Sequence, residues 1–259
     1  MGECTGEDVM SFDHSNRRIL VTGAANGLGF GIAKTLAAAG ALLVLADVDA
    51  KVKERAHESE FGGRAIALLQ DLAEPDAAER LISESVRLVG SLNGLVNCAA
   101  WSFHKPASET TVQEFDRVVA INQRTPYFLA CRFAAQLNLE GDDACVVNIA
   151  SVNALVGNPN LIAYAGTKGA LAAMTRGMAV EFAPHVRVVA ISPGSVRTHV
   201  TNQLIESGQI NPRALLDKAL IKRFITVEEI GELVSFLFSP AARSVTGANW
   251  VFDGGYTTK

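Results

Sequence analysis

Short apolar runs that alternate with longer helical segments constrain the fold of this chain more than any other feature. Seven runs are typical of buried strands, and they read RILVTG, ALLVLAD, RAIALLQD, GLVNCAA, CVVNIAS, VRVVAISPG and NWVFDGG. Their apolar character is continuous, not alternating, which indicates strands that are covered on both faces, as in a parallel sheet between two helix layers. We therefore predict an α/β fold built on a doubly wound, seven-stranded parallel sheet.

The 259 residues show no repeat and no break in composition, so we predict a single domain over residues 17–259. Residues 1–16 are polar and acidic and are expected to form a flexible N-terminal tail, not a signal peptide or an anchor. Residues 197–226 form a long connection with helical apolar spacing. This segment is either a substrate flap of short helices or a plain excursion from the sheet.

The composition of the chain limits the expected binding partners and the expected cellular location. The chain has 23 basic and 27 acidic residues and no run of like charges, which argues against a nucleic acid or a membrane surface as partner. Its four cysteines form no CxxC pair, and its five histidines show no spacing typical of metal ligands. We expect a cytoplasmic protein without a metal.

The first predicted strand runs into the sequence VTGAANGLGFG. Its glycines Gly23, Gly27 and Gly29 have the spacing G-x-x-x-G-x-G and lie where the strand turns into a helix. Without Cβ atoms the backbone can approach a pyrophosphate, whose charge the N-terminus of the helix stabilises. A tight turn packed with small residues would explain the glycines equally well.

Asp47 favours the nucleotide interpretation because it ends the second predicted strand, 24 residues after Gly23. A carboxylate there can accept hydrogen bonds from both hydroxyls of an adenosine ribose, and it would repel a 2′-phosphate. Asn26 brings no positive charge to the loop. The expected cofactor is therefore NAD. Capping of a helix N-terminus is the alternative role for Asp47, and Asp49 could also fill it.

A second group of polar residues follows the fifth predicted strand. Ser151 ends that strand, Tyr164 comes thirteen residues later, and Lys168 lies four residues beyond Tyr164, on the same helix face. A tyrosine with an unperturbed pKa of about 10 is a poor base unless a cation stabilises its phenolate. A lysine one turn away provides that cation, and Tyr127 and Tyr256 have no such lysine.

From about Arg17 onward the sequence resembles the short-chain dehydrogenase/reductase family in its compact form. The motifs that carry the resemblance are TGAANGLG, Asp71-Leu72, NCAA at 97–100, Asn122 in INQRTPYF, Ser151, YAGTK at 164–168, SPG at 192–194 followed by Thr198, and the terminal DGG. The resemblance implies a Rossmann-like fold and no metal.

The resemblance also implies roles for individual residues. Tyr164 would be the general acid/base, Ser151 would hydrogen bond to the substrate oxygen, Lys168 would lower the pKa of Tyr164 and bind the nicotinamide ribose, and Asn122 would hold a water of a proton relay. The residues implied in cofactor binding are Gly23, Asn26, Gly27, Leu28, Gly29, Asp47, Val48, Asp71, Leu72, Asn97, Ala99, Tyr164, Lys168, Pro193, Gly194, Val196 and Thr198.

The chain departs from the family pattern at three positions. Cys98 and Ala100 stand in NCAA where the family has N-N-A-G, and Ala150 replaces a frequent serine before Ser151. We expect Cys98 to change local hydrogen bonding without loss of activity, and Ala100 to shift the following loop. Candidates for the substrate pocket are Trp101, Phe103, His104, Asn153, Asn158 and His199. The aromatic ones could instead pack against the flap or another subunit.

The motifs together predict an NAD-dependent oxidoreductase that acts on a secondary alcohol or the matching ketone, of the polyol, sugar or cyclic alcohol type. Three alternatives remain: an NADPH-dependent 3-ketoacyl-thioester reductase, a nucleotide-sugar epimerase or dehydratase, and a non-catalytic NAD-binding protein. Two helical segments, TPYFLACRFAAQL and AYAGTKGALAAMTRGMAVEF, are apolar on more than one face. Such helices are expected to be buried on two sides, one of them against something other than the sheet. In the family that the sequence resembles, this second partner is another subunit, and the resemblance implies a homotetramer.

Overall fold

A computed structural model describes residues 12–137, 143–208 and 211–258, except for the side chains of Val200 and Leu204. The seven predicted strands form one parallel sheet with the order β3-β2-β1-β4-β5-β6-β7. The strands are β1 (Arg18–Thr22), β2 (Leu42–Asp47), β3 (Ala65–Leu69), β4 (Gly94–Asn97), β5 (Ala144–Ile149), β6 (Val186–Pro193) and β7 (Asn249–Phe252). The predicted Rossmann-like fold is confirmed.

Helices connect the strands and cover both faces of the sheet. They are α1 (Gly27–Ala38), α2 (Lys51–Ala56), α3 (Ala77–Val89), α4 (Val112–Val119), α5 (Thr125–Ala135), α6 (Ile162–Phe182), α7 (His199–Glu206), α8 (Pro212–Leu216) and α9 (Val227–Phe238). A π-turn at Ala120–Arg124 joins α4 directly to α5. No helix in the described part of the chain has the length and apolar character that a membrane span requires.

The continuous apolar runs of the strands are explained by two separate cores. Ile19 and Val21 of β1 belong to the core under α1 and α9, whereas Leu20, between them, belongs to the core under α3, α5 and α6. Successive side chains of a strand point to opposite faces, so a strand with helices on both sides needs apolar residues at every position. All three residues are fully buried.

The order of the strands determines where a ligand can bind. The chain proceeds outward from β1 to β2 and β3, and then crosses back to place β4 on the other side of β1. The loops after β1 and β4 therefore diverge at the carboxyl edge of the sheet and leave a crevice between them. The predicted cofactor loop follows β1, and the NCAA motif includes the end of β4.

Residues 12–16 differ from the prediction of a flexible tail. His14 is 1 % exposed, and its Nε2 lies 2.8 Å from the Ser235 hydroxyl of α9. The ring of Phe12 lies 6.1 Å from that of Phe236, and the N–H of His14 donates to the carbonyl of Ala39. A hydrogen bond and a ring contact with α9, together with the backbone bond to Ala39, therefore hold this short segment against the domain. Residues 1–11, the rest of the predicted tail, lie outside the described residues.

The segment at 197–226 contains two helices, α7 and α8, as its apolar spacing indicates. Thr198 caps α7 by accepting a hydrogen bond from Thr201, and Asn211 caps α8 through two backbone N–H groups. A bridge between Val196, just before the segment, and Ile225 brings its two ends together, and the N–H of Arg197 donates to the carbonyl of Ile225. The segment thus leaves the sheet and returns at one place. We call residues 197–226 the flap segment.

Candidate active site

The loop after β1 is shaped by glycines that no other residue could replace without displacing the backbone. Gly23 has φ +70°, and a Cβ on it would lie 2.7 Å from the Cα of Ala99. A Cβ on Gly29 would collide with the carbonyl of Gly23. The loop therefore packs tightly against the end of β4 and against the first turn of α1.

The N-terminus of α1 is open to an anion. Its first turn contains no acidic residue, and Asn26, at the capping position, makes no side-chain hydrogen bond to the helix. The Nδ2 of Asn26 instead donates to Asp49 at 3.2 Å. Free N–H groups and the helix dipole at this point are suited to binding a phosphate.

Asp47 lies at the end of β2, half-buried beside this loop. Its two carboxylate oxygens accept hydrogen bonds of 2.9 Å from the N–H groups of Ala25 and Asp49. Asp47 does not cap α2. Asp49 instead accepts a hydrogen bond from the N–H of Lys51, the first residue of that helix. The carboxylate of Asp47 thus fixes the glycine loop and remains available to further donors on its exposed side.

A cavity of about 240 Å³ lies between the glycine loop and the ends of β2, β3 and β4. It gathers many of the predicted cofactor residues, which are Gly23, Asn26, Asp47, Val48, Asp71, Leu72 and Ala99. Trp101 and Arg117 are among the lining residues that have no predicted cofactor role. The guanidinium of Arg117 lies 5.8 Å from the centre of the Trp101 ring and 3.4 Å from Asp71.

The SPG motif at the end of β6 reaches the same loop from the other side. A Cβ on Gly194 would lie 2.8 Å from the Cα of Asp253, so this motif packs closely on the terminal DGG motif. Thr198 lies 3.8 Å from the position that a Cβ of Gly27 would take. Pro193 ends β6, and Val196 bridges to Ile225.

Asn97 supports the sheet instead of lining the cavity. Its Nδ2 donates to Asn148 of β5 at 2.8 Å, and Asn148 in turn donates to Thr175 of α6. These buried amides tie β4 to β5 and to α6. Leu28 packs against the core under α1 and α9.

Ser151, Tyr164 and Lys168 converge beside the carboxyl end of β5. The Nζ of Lys168 lies 5.7 Å from the centre of the Tyr164 ring and donates a hydrogen bond of 2.7 Å to the carbonyl of Ile149. Ser151 acts on Tyr164, because hydrogen bonding to the Ser151 side chain lowers the pKa of the tyrosine. Lys168 is 2 % exposed, so its ammonium is held in place by the protein and not by water.

Burial and hydrogen bonding act on the pKa values of these groups. Burial raises the pKa of Tyr164 above its usual value, and the hydrogen bond from Ser151 opposes that rise. Burial lowers the pKa of Lys168 to about 8. At neutral pH the lysine is therefore mainly charged and the tyrosine is a phenol, which needs additional positive charge nearby to act as a base.

The position of Asn122 depends on the π-turn between α4 and α5. Asn122 is fully buried, and its side chain accepts from the N–H of Trp101 and donates to the carbonyl of Trp101 and the hydroxyl of Thr167. A π-turn inserts one extra residue into a helix and re-aims its side chains. Asn122 thus connects the loop after β4 to helix α6 in the turn before Lys168.

Cys98, the main departure from the family motif, is a neutral thiol. Burial raises its pKa to about 12, although the charge of Lys168 opposes this rise. Its N–H donates to the hydroxyl of Thr22, which also accepts from Ala99. The N–H groups that follow β4 are therefore bonded to the Thr22 hydroxyl of β1 without a side-chain amide at position 98.

The six substrate candidates lie in different parts of the structure. Asn153 donates two hydrogen bonds to Ser151 and therefore lies beside the reacting group, and Asn158 donates to Asn153. Trp101 lines the cofactor-side cavity. Phe103 lines a different cavity of about 170 Å³ near the start of α6.

The remaining two candidates lie at the surface. His104 is exposed, and His199, also exposed, pairs with Gln203 on α7. Sequence reasoning missed Lys218 and Tyr256, which both hydrogen bond to Asn158. Tyr256 follows directly on the DGG motif, whereas no local pattern marks Lys218.

Comparison with known proteins gives the family. A family model described as enoyl-(acyl carrier protein) reductase matches residues 23–257. Cyclopentanol dehydrogenase from Comamonas sp. (strain NCIMB 9872) is 34% identical over 250 residues, which cover 94% of this chain and 98% of that protein.

Two solved structures have the same architecture over nearly the whole chain. An Agrobacterium tumefaciens protein, provisionally assigned as a 2-deoxy-D-gluconate 3-dehydrogenase and holding NADP, is 33% identical with a TM-score of 0.87 and covers 96% of this chain and 100% of its own. A 3-ketoacyl-(acyl-carrier-protein) reductase from Brucella melitensis, in complex with NADH, is 29% identical with a TM-score of 0.85 and covers 93% of this chain and 98% of its own. The chain therefore belongs to the short-chain dehydrogenase/reductase family of nicotinamide-dependent oxidoreductases.

Proposed function

We propose that this protein is an NAD-dependent oxidoreductase that transfers a hydride between the nicotinamide and a secondary alcohol or the matching ketone. The observation that carries the proposal is the convergence of Tyr164, Ser151 and the buried ammonium of Lys168 beside β5. They lie at the same edge of the sheet as the glycine loop and Asp47. The residues of that loop fit a dinucleotide, because the N-terminus of α1 is open and the glycines leave room for a pyrophosphate.

Tyr164, Ser151 and Lys168 have separate roles in the proposed reaction. When bound, a nicotinamide supplies the carbon that takes or gives the hydride, and its oxidised form adds a positive charge. Tyr164 takes the proton of the substrate hydroxyl, or returns it during reduction. Ser151 donates a hydrogen bond to the substrate oxygen and so stabilises its developing charge. Lys168 stabilises the phenolate of Tyr164 electrostatically.

Asp47 is our reason for choosing NAD over NADP. A 2′-phosphate beside this carboxylate would meet a like charge, and Val48, the next residue, offers no cation. Arg55 lies near the loop, but its guanidinium donates to the carbonyl of Ala25 and pairs with Glu58. The structural relative that holds NADP shows why this preference needs a direct measurement.

The substrate class that we propose is a cyclic alcohol, a sugar or a polyol. The relative from Comamonas is a cyclopentanol dehydrogenase, which favours the cyclic alcohol. The polar side chains of Asn153, beside Ser151, and of Asn158, beside Asn153, favour a substrate with further oxygen atoms. A second candidate is a 3-ketoacyl-thioester reductase that uses NADPH. The likeness to the Brucella enzyme supports the thioester substrate, whereas that enzyme was solved with NADH.

A substrate panel tests this proposal. Purified protein would be assayed with NAD⁺ on cyclopentanol, on sugars and on polyols, and with NADPH on a 3-ketoacyl thioester. We expect turnover of at least one alcohol with NAD⁺, and slow or no turnover of the thioester. Reduction of the thioester with NADPH, without oxidation of any alcohol, would replace our proposal by the reductase.

We also propose that the chain assembles as a homotetramer through two apolar surfaces. The first lies on α5 and α6, where Phe128 is 44% and Val180 is 82% exposed. The second surrounds the edge strand β7, where Leu220, Ile221 and Val251 are exposed and line a cavity of about 360 Å³. Two separate self-complementary surfaces generate a tetramer with two kinds of interface.

The oligomeric state can be measured by light scattering after size-exclusion chromatography. We expect a tetramer for the natural protein and a dimer for the variant Phe128→Glu/Val180→Glu, because two buried carboxylates would open one interface only. Leu88→Glu on α3, which lies outside both surfaces, should remain tetrameric. A monomeric natural protein would refute the assembly.

The three cysteines in the described part of the chain, Cys98, Cys131 and Cys145, are free thiols. This state is consistent with the reducing, cytoplasmic location that we propose. Targeted mass spectrometry of protein alkylated within intact cells would test it. Extensive oxidation of Cys131, a partly exposed thiol, would argue for another compartment.

A further inference from the structure

A chain of hydrogen bonds leads from Ser151 to the flap segment. The N–H and the Nδ2 of Asn153 both donate to the Ser151 hydroxyl oxygen, at 3.1 and 3.2 Å. The Oδ1 of Asn153 accepts from the Nδ2 of Asn158 at 2.8 Å. The Oδ1 of Asn158 accepts from the Nζ of Lys218 at 3.1 Å and from the hydroxyl of Tyr256 at 3.1 Å. We call these residues the amide relay.

Lys218 fixes the direction of every bond in the amide relay. An ammonium group can only donate, so the atom of Asn158 that faces it has to be the oxygen. The amide nitrogen of Asn158 then faces Asn153, whose facing atom is likewise the oxygen. The nitrogen of Asn153 therefore points at Ser151, whose hydroxyl oxygen becomes an acceptor.

A serine hydroxyl has one proton to donate, and the amide relay decides where that proton points. Because its oxygen already accepts two hydrogen bonds from Asn153, the proton of Ser151 is directed away from the asparagine. The proton is then left for Tyr164, whose pKa is lowered by hydrogen bonding to Ser151. The reacting oxygen of an alcohol or ketone, placed beside the Tyr164 hydroxyl, would receive the same proton.

We infer that Lys218, acting through Asn158 and Asn153, is a positioning residue that orients the Ser151 hydroxyl toward the reacting oxygen. This inference rests on the proposed function. Lys218 belongs to the flap segment, whereas Tyr256 belongs to the C-terminal segment, so both segments contribute to the orientation of a residue on the loop after β5. The ammonium of Lys218 donates to two neutral oxygens, those of Asn158 and Tyr256.

Replacement of Lys218 by an acceptor tests the inference most directly. In Lys218→Glu the carboxylate would attract the amide nitrogen of Asn158, and the reversal would pass along the amide relay until the oxygen of Asn153 faces Ser151. The serine proton would then be drawn away from the substrate, and kcat should fall about 10-fold or more. Lys218→Arg keeps a donor and should retain most of the natural kcat.

Two further variants complete the series. Asn153→Asp has nearly the same shape but replaces the donor to Ser151 with an acceptor, and it should lower kcat by about 10- to 100-fold. Lys222→Glu makes the same charge change as Lys218→Glu in the same segment, yet Lys222 pairs with Asp217 and is not part of the amide relay. Its kcat should match that of the natural protein. NADH binding, measured for every variant, reports on the fold.

A second measurement needs no substrate. Because the hydrogen bond from Ser151 lowers the pKa of Tyr164, withdrawing this bond should raise that pKa in Lys218→Glu and Asn153→Asp, and Lys218→Arg should leave it unchanged. The titration of Tyr164 is read by ultraviolet absorbance as the difference between each protein and the same protein carrying Tyr164→Phe. This subtraction removes the contributions of Tyr127 and Tyr256.

The outcomes separate the two proposals. If the natural protein oxidises no secondary alcohol, the proposed function fails, while the titration of Tyr164 still judges the amide relay. Unchanged kcat and unchanged titration in Lys218→Glu would overturn the inference, whatever the result for Asn153→Asp. Equal losses in Lys218→Glu, Lys218→Arg and Lys222→Glu would also overturn it, because they would show a general effect on the flap segment.

Discussion

Replacement of Tyr164 by phenylalanine should lower kcat by about 100- to 10,000-fold while the affinity for NADH stays unchanged. The phenyl ring fills the same space next to Lys168 but offers no proton to the reacting oxygen. Because the change removes only one hydroxyl from a residue in the first turn of α6, the fold should tolerate it. Steady-state kinetics on the best alcohol of the panel and fluorescence titration with NADH measure the two effects.

The matched control is Tyr127→Phe on α5, which removes a phenolic hydroxyl remote from Ser151 and should leave kcat unchanged. Retention of most activity in Tyr164→Phe would refute the role of this residue as general acid/base. If the natural protein binds NADH but turns over no substrate of the panel, and Tyr164→Phe behaves identically, the interpretation as a non-catalytic NAD-binding protein would gain support.

The sheet was predictable because the pattern of apolar residues in each strand indicates whether its two faces are covered. The runs around Val21, Val44 and Val147 are apolar at consecutive positions, and such a pattern has few explanations other than a strand with helices on both faces. The glycine loop and Asp47 were predictable for the same reason, since turn geometry and the end of a strand are local properties of the sequence.

Contacts between distant parts of the chain could not be predicted in this way. His14 lies in a polar stretch, and its burial depends on Ser235, which is 221 residues away. Trp101 was expected at the substrate, but the Asn122 side chain holds its backbone, and its ring packs under Arg117 beside the cofactor-side cavity. The π-turn that positions Asn122 has no sequence signal of its own.

The candidate site also combines local features, which the sequence predicts, with contacts between distant residues, which it does not. The spacing of Ser151, Tyr164 and Lys168 is set within one strand end and one helix, so the sequence alone brings them together. The amide relay is assembled from the loop after β5, the flap segment and the C-terminal segment. Its polarity depends on which atoms face each other, and only a three-dimensional arrangement gives that information.

Exchange of the acidic cofactor determinant should produce the second large effect. The natural protein should bind NADH more tightly than NADPH, and the double variant Asp47→Ser/Val48→Arg should reverse that preference. Removal of one repulsive charge and addition of one attractive charge at a partly exposed site are each worth about 1 to 4 kcal/mol. Their combination therefore predicts a change of about 30-fold or more in the ratio of the two dissociation constants.

The geometry around Asp47 guides the choice of substitutions. Val48 is 60% exposed, so an arginine at this position has room to reach a 2′-phosphate. Asp47 also accepts hydrogen bonds from the N–H groups of Ala25 and Asp49, and a serine hydroxyl can replace one of the two. We therefore expect some weakening of binding to both cofactors, on which the reversal of preference is superimposed.

Two single variants distinguish the effect of the Asp47 charge from a structural effect on the glycine loop. Asp47→Asn keeps the size of the side chain and one acceptor but removes the charge, so it should lose discrimination against NADPH without gaining strong affinity for it. Asp49→Asn changes the net charge by the same amount, yet this carboxylate binds Asn26 and the N–H of Lys51, and it should leave the preference for NADH intact. A natural preference for NADPH, or an equal loss of discrimination in both variants, would refute the role assigned to Asp47 and make the 3-ketoacyl-thioester reductase the leading interpretation.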